Sequence, residues 1–77
     1  MMEVTVNSKY RHFKGEVIVV LAIGQNTENL EKMVVYVALS TGKIWVRPYD
    51  MFVSKVDREK YPDVAQEYRF EKVIEND

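Results

Sequence analysis

Trp45 and Arg47 stand two positions apart in Lys43-Ile44-Trp45-Val46-Arg47, so in an extended strand both side chains leave the backbone on the same side. Tyr36, in an apolar stretch just upstream, joins them when the two stretches pair. Rings beside a guanidinium suit flat or charged ligands: the rings stack, and the guanidinium donates to phosphate or carboxylate oxygens. A second group, Lys9-Tyr10-Arg11-His12-Phe13-Lys14, interleaves cations with rings, locally the pattern of a nucleic-acid surface. Tyr10, Arg11 and His12 are its candidate ligand contacts. Each feature also has a plainer explanation. Trp45 is valuable core volume in a small domain, with Arg47 as a cation–π lid over it. Tyr10 and Phe13 can be buried beneath a solvated basic strand, and His12 can bond backbone at a turn. The two explanations of Trp45 require opposite exposure.

Catalytic templates find little support. His12 is the single histidine and there is no cysteine, so a Ser-His-Asp arrangement would need that one ring and a Cys-His pair is excluded. No Gly-x-Ser-x-Gly elbow occurs, and Gly15, Gly24 and Gly42 are isolated, whereas a phosphate-cradling loop needs several glycines together. No metal-ligand spacing surrounds His12. The expectation is a non-catalytic binding module without cofactor or metal, its surface formed by Trp45, Arg47 and Tyr36. A single-stranded nucleic-acid surface extended by Lys9, Arg11 and Lys14 is the first alternative. A small-molecule accessory or enzyme domain using His12 is the second.

Composition narrows the class. Seventy-seven residues, 47% hydrophobic and 30% charged, make one folded domain over 1–77. Eleven Lys and Arg against twelve Asp and Glu leave a net charge of −1, which disfavours a protein devoted to neutralising phosphate but permits a local basic patch. The absence of cysteine removes a disulfide or thiolate–zinc scaffold, so the domain stands on its core or on a partner subunit. No stretch reaches the roughly 20 apolar residues of a membrane span, and the N-terminus lacks the basic start and apolar run of a signal peptide. These features point to a cytoplasmic protein whose partner is a protein, a peptide or a nucleic acid, with a homodimer as an open alternative.

Residues 17–23 (Val-Ile-Val-Val-Leu-Ala-Ile) and 33–39 (Met-Val-Val-Tyr-Val-Ala-Leu) are dense in β-branched side chains and too short for typical helices. Both read as central strands, the first covered on both faces. The polar link 24–32 is too short for a crossover, so the pair is antiparallel. Gly42, suited to positive φ, turns the chain into residues 43–47, where Ile44 and Val46 are assigned inward and Trp45 and Arg47 outward; Pro48 ends the strand. Residues 49–52 read as one turn of 3₁₀ or α-helix dropping Met51 and Phe52 into the core. A short strand over 53–56, a short helix over 62–67 and a closing strand over 68–74, with Tyr68, Phe70 and Ile74 inward, complete the reading. Tight turns between short strands predict a mainly β fold, a small SH3-like barrel or roll of about five antiparallel strands.

Two blocks carry a family likeness. Tyr10-Arg11-His12-Phe13-Lys14-Gly15 and Trp45-Val46-Arg47-Pro48-Tyr49-Asp50-Met51-Phe52, with Val34-Val35-Tyr36 between them, resemble the bacterial family known as domain of unknown function 1653. Its pattern runs Tyr-Arg-His-Phe-Lys-Gly, Val-Val-Tyr, then Trp-Val-Arg-Pro-x-x-Met-Phe. Arg69-Phe70 falls where that family's closing strand carries an Arg-Phe pair, and the likeness spans 9–73. Gln25-Asn26-Thr27-Glu28 and Leu39-Ser40-Thr41-Gly42 depart from the family's His-Ser-Glu-Thr and Leu-Tyr-Gly loops. The resemblance implies a small SH3-like β-domain of bacterial or phage origin, and it brings no reaction with it.

Overall fold

A computed structural model describes residues 3–74; the acidic end at Glu75, Asn76 and Asp77 lies outside the described residues. Five antiparallel strands, β1 (Lys9–His12), β2 (Val17–Gln25), β3 (Lys32–Ala38), β4 (Ile44–Pro48) and β5 (Phe70–Lys72), and one helical turn, α1 (Tyr49–Phe52), follow one another along the chain. The strands form one sheet in the order β4-β3-β2-β1-β5. The two end strands are not hydrogen-bonded to each other, so the architecture is a mainly β roll rather than a closed barrel. They nevertheless curl towards each other: the Arg47 guanidinium of β4 lies 5.7 Å from the Phe70 ring of β5, and the Tyr36 and Phe70 ring centres are 5.5 Å apart.

The β-branched runs form β2 and β3 as their composition dictates, and the polar link joins them as an antiparallel hairpin. One irregularity controls which side chains meet the core. Val20 pairs with Tyr36 and Ala22 with Val35, leaving Leu21 as the extra residue of a bulge. The bulge inverts the alternation, so Ile18 and Val20 before it and Ile23 after it pack on the core while Leu21 is exposed. β2 is therefore covered on one face, not on both. A single antiparallel sheet with one helical turn has too little material to coat its second side.

Beneath the covered face, Tyr10, Phe52, Phe70, Val34 and Tyr36 join Ile18 and Val20 in one cluster. Phe52 and Phe70 stack with centroids 4.1 Å apart and planes within 4°, and Tyr10 meets Phe52 edge-on at 5.5 Å. Such ring pairs add about 0.5–1.5 kcal/mol each beyond the area they bury. Phe52 reaches the centre because α1 begins straight after Pro48; the same turn leaves Met51 exposed, against the expectation of a core methionine.

Register inverts one further assignment. Tyr36 faces Trp45 and Val34 faces Arg47 across β3 and β4, whereas Val37 faces Ile44 and Val35 faces Val46. Directly opposed residues share a face, and the core lies under Val34, Tyr36 and Ala38. Trp45 and Arg47 thus turn to the core side, while Ile44 and Val46, assigned inward from the sequence, are 63% and 57% exposed on the open face.

The C-terminal third is less regular than its sequence suggests. Residues 53–56 contribute a single bridge, Lys55 to Tyr68, in place of a strand. Residues 62–67 form a turn followed by irregular chain, not a helix. Arg58 donates to the Val64 and Gln66 carbonyl oxygens, and the Gln66 amide donates to those of Arg11, Tyr68 and Arg69. Those bonds tie the segment to the sheet, and so short a run cannot recover the cost of helix nucleation. The closing strand is confined to Phe70–Lys72, with Phe70 buried, Tyr68 half-buried and Ile74 exposed.

Candidate functional site

Where β4 and β5 approach without pairing, the roll is open, and a cavity of about 220 Å³ lies in the opening. His12, Tyr36, Trp45 and Arg47 line it together with Glu16, Ile18, Ala38 and Phe70. Four of the six residues singled out from the sequence therefore converge, from β1, β3 and β4. Their placement follows from strand alternation: His12 lies directly across from Phe70 in the β1–β5 pair, as Trp45 does from Tyr36 in the β3–β4 pair.

Tyr10 and Arg11 are not part of the cavity lining. Tyr10 is 0% exposed, and its hydroxyl accepts the Thr5 backbone N–H at 2.9 Å, which makes it a core residue that ties down the incoming chain. Arg11 and Lys9 alternate to the opposite face of β1 from His12, so they cannot extend the same surface. Lys14 remains beside it, with its ammonium 5.3 Å from the Tyr61 ring centre.

Trp45 is 50% exposed. Neither of the two opposed expectations describes it: the ring turns to the core side but sits at the end of the sheet, where it forms a wall of the cavity. Arg47 donates from Nε to the Tyr36 hydroxyl oxygen at 3.3 Å while its guanidinium lies over Phe70. The expected lid over an aromatic ring exists, but on Phe70. The Glu16 Oε1 accepts from the Ser40 hydroxyl at 2.6 Å and from the Ser40 N–H at 3.4 Å. No hydrogen bond occupies its Oε2 among the described residues.

His12 is held on several sides. Its ring packs edge-on against Phe70 at 5.0 Å and lies 4.4 Å from Phe13, and its Nδ1 accepts the Lys14 backbone N–H at 3.1 Å. The expectation of a histidine bonded to backbone at a turn is met. Burial, reinforced by the positive charges of Arg47, Arg69 and Lys14, lowers its pKa to about 4. The ring is neutral near pH 7, and with Nδ1 accepting, its proton resides on Nε2 as a donor.

A second cavity, of about 340 Å³, adjoins the first: His12 and Arg47 line both. Lys14, Lys60, Arg69 and Tyr61 complete its basic and aromatic wall, with Asp57 as its acidic group. Arg69 is positioned by its backbone N–H, which donates to the Ser54 carbonyl oxygen at 2.9 Å, and by its Nε, which donates to the Ser54 hydroxyl at 3.2 Å. Among the described residues, none of Lys14, Arg47, Lys60 and Arg69 forms an ion pair with a carboxylate. Positive potential therefore collects at this end of a chain whose net charge is −1.

Sequence reasoning missed Glu16, Lys60 and Asp57, which come from loops and strand ends that carry no motif. Arg69 was visible only through the family pattern, whereas Phe70 was also expected inward on the closing strand, where it lies. Among the described residues no three His, Cys, Asp or Glu side chains group closely enough to hold a metal ion, and no helix is long and apolar enough to cross a membrane.

Fold and site together define a small β-roll domain with an open aromatic and basic cleft between the ends of its sheet. The chain belongs to the family described as protein of unknown function (DUF1653), which matches residues 8–72. No curated protein and no solved structure matches it. The blocks that carry the family likeness supply His12, Phe13, Lys14, Tyr36, Trp45, Arg47, Arg69 and Phe70, the residues around which the two cavities are built.

Proposed function

We propose that the domain is a non-catalytic binding module whose ligand occupies the cleft walled by Trp45, Tyr36 and Arg47. The observation that carries this reading is the convergence of those three residues with His12 on one open cavity. Trp45 keeps half its surface in water there, although this small core would gain from burying it. Exposed aromatic surface beside a guanidinium without a carboxylate partner is a common arrangement at recognition sites. His12 lends a neutral hydrogen-bond donor, and the stacked rings of Phe52 and Phe70 give the floor a rigid support.

The test is a ¹⁵N NMR titration of the whole chain with panels of peptides, oligonucleotides and small aromatic acids, followed at the Trp45 indole N–H. A ligand of one class should move that resonance together with the amides around Tyr36 and Arg47. In the Trp45→Ala variant the amides around Tyr36 and Arg47 should no longer respond to that ligand, while the spectrum stays dispersed. If no ligand class moves the Trp45 indole, or if every response maps to the opposite face around Ile44 and Val46, the reading is wrong.

A further inference from the structure

We infer that the cleft takes a nucleoside monophosphate, free or as the 5′-phosphorylated end of a strand, with its base against Trp45 and its phosphate among Arg47, Lys14, Lys60 and Arg69. This deepens the binding reading above and rests on it. The reason is that two cavities of unlike chemistry meet at a shared wall. Cavities that hold a whole drug-sized ligand run to about 300–1,000 Å³, and these two, about 220 and 340 Å³, stand below and near the bottom of that range. Each suits one part of a bipartite ligand.

The first cavity has the chemistry for a heterocyclic base. Its walls are Trp45, Tyr36 and Phe70 over an apolar floor of Ile18 and Ala38. Trp45, half exposed, offers the open ring face, and stacking on such a ring tolerates any base. Glu16 adds a directional element: with Oε1 engaged by Ser40, its Oε2 is left to accept an N–H from a base edge. A phenyl or aliphatic group has no N–H to offer it, so a purely apolar ligand would leave the carboxylate partly desolvated and unanswered.

The second cavity has the chemistry for a dianion. Four cations border it without an ion-pair partner among the described residues. Asp57, its acidic wall residue, already accepts the Glu59 backbone N–H at 3.0 Å through Oδ1. A single carboxylate would answer one or two of the four cations. A phosphate monoester, with nearly two negative charges and three acceptor oxygens, can answer more of them. Between the halves, Arg47 is held at Nε by Tyr36, and among the described residues its other nitrogens have no hydrogen-bond partner. His12 offers Nε2–H from a neutral ring.

The experiment titrates the whole chain with adenosine and guanosine 5′-monophosphates, the two parent nucleosides, inorganic phosphate, phosphotyrosine, and a short oligonucleotide with and without a 5′-phosphate. The monophosphates should move both the Trp45 indole and the Lys14 and Tyr61 amides, and bind about tenfold or more tightly than nucleoside or phosphate alone. Lys60→Gln, an exposed change with little bearing on folding, should weaken the monophosphates several-fold and leave the nucleosides unaffected; Arg69→Gln should do the same more strongly. A phosphorylated oligonucleotide that binds tighter than the mononucleotide identifies a strand end as the source, and equal binding identifies the free nucleotide. Nucleosides as tight as their phosphates, phosphotyrosine as tight as either monophosphate, or an unphosphorylated oligonucleotide as tight as the phosphorylated one would each overturn the inference. If the Trp45 indole still answers a ligand of another class, the binding module stands without it. If nothing moves that indole, both fall together.

Discussion

Tyr10 on β1 and Trp45 on β4 lie on the same curled face of one sheet, yet they sit in opposite physical situations. Tyr10 lies over the middle of the core, meets Phe52 edge-on, and spends its hydroxyl on the Thr5 N–H. Trp45 lies on an end strand of the sheet, is half exposed, and borders a cavity. Tyr10 packs against the Phe52 ring that α1 supplies, whereas Trp45 keeps half its surface in water at the opening between β4 and β5. On the binding reading proposed above, stability and recognition fall to neighbouring parts of one surface, and Phe70, a core residue that also lines the cavity, belongs to both.

The largest test of that division is Phe52→Ala. Removing a fully buried ring from the centre of the cluster costs about 3–5 kcal/mol, against a total of roughly 4–12 kcal/mol for a domain of this length. Chemical denaturation should show the midpoint collapsing or the native state lost. Trp45→Ala should cost only about 1–2 kcal/mol in the same experiment, because half the ring is already in water. A loss equal to that of Phe52→Ala would mean that Trp45 belongs to the core and would erase the contrast.

A smaller effect comes from His12, which stands where core and cleft meet. Its folded pKa, about 4, lies below the ordinary unfolded value near 6.5, so between those values the unfolded chain binds the extra proton. Stability is then fully present above about pH 6.5 and declines as pH falls towards 4. The exposed part of the ring limits the loss to about 1 kcal/mol after solvent screening. Thermal melts of the native chain and of His12→Gln, compared at pH 7 and pH 4.5, should show the larger drop in the native chain. The ring protons should titrate near pH 4 in NMR. A midpoint near 6.5 would place His12 in open water.

Much of this arrangement was legible from residue order. The β-branched runs at 17–23 and 33–39, the polar link between them, Gly42 and Pro48 locate three strands and their antiparallel pairing, and those elements formed. The grouping of Tyr36, Trp45 and Arg47 on one face was legible too, since it needs only strand alternation and a hairpin register. The direction of that face was not. In β4 both alternating sets contain apolar residues, Ile44 and Val46 against Trp45, so the pattern sorts side chains into two groups without saying which group meets the core. The bulge at Leu21 was equally hidden, because every residue around it is apolar and any phase fits. Tyr10 and Trp45 were both candidates, each a ring with an arginine one or two positions further along the chain.

Local chemistry thus determined the strands, the turns and the partition of each strand into two faces, because these depend on neighbours within a few residues. Which face was covered, which ring became core and which remained in water depended on where α1 and the segment carrying Arg69 and Phe70 fold back across the sheet. Those contacts join residues far apart in the chain. The cleft is a product of that folding back: it is the space left where two end strands, brought close by the curl of the sheet, do not complete their hydrogen bonds.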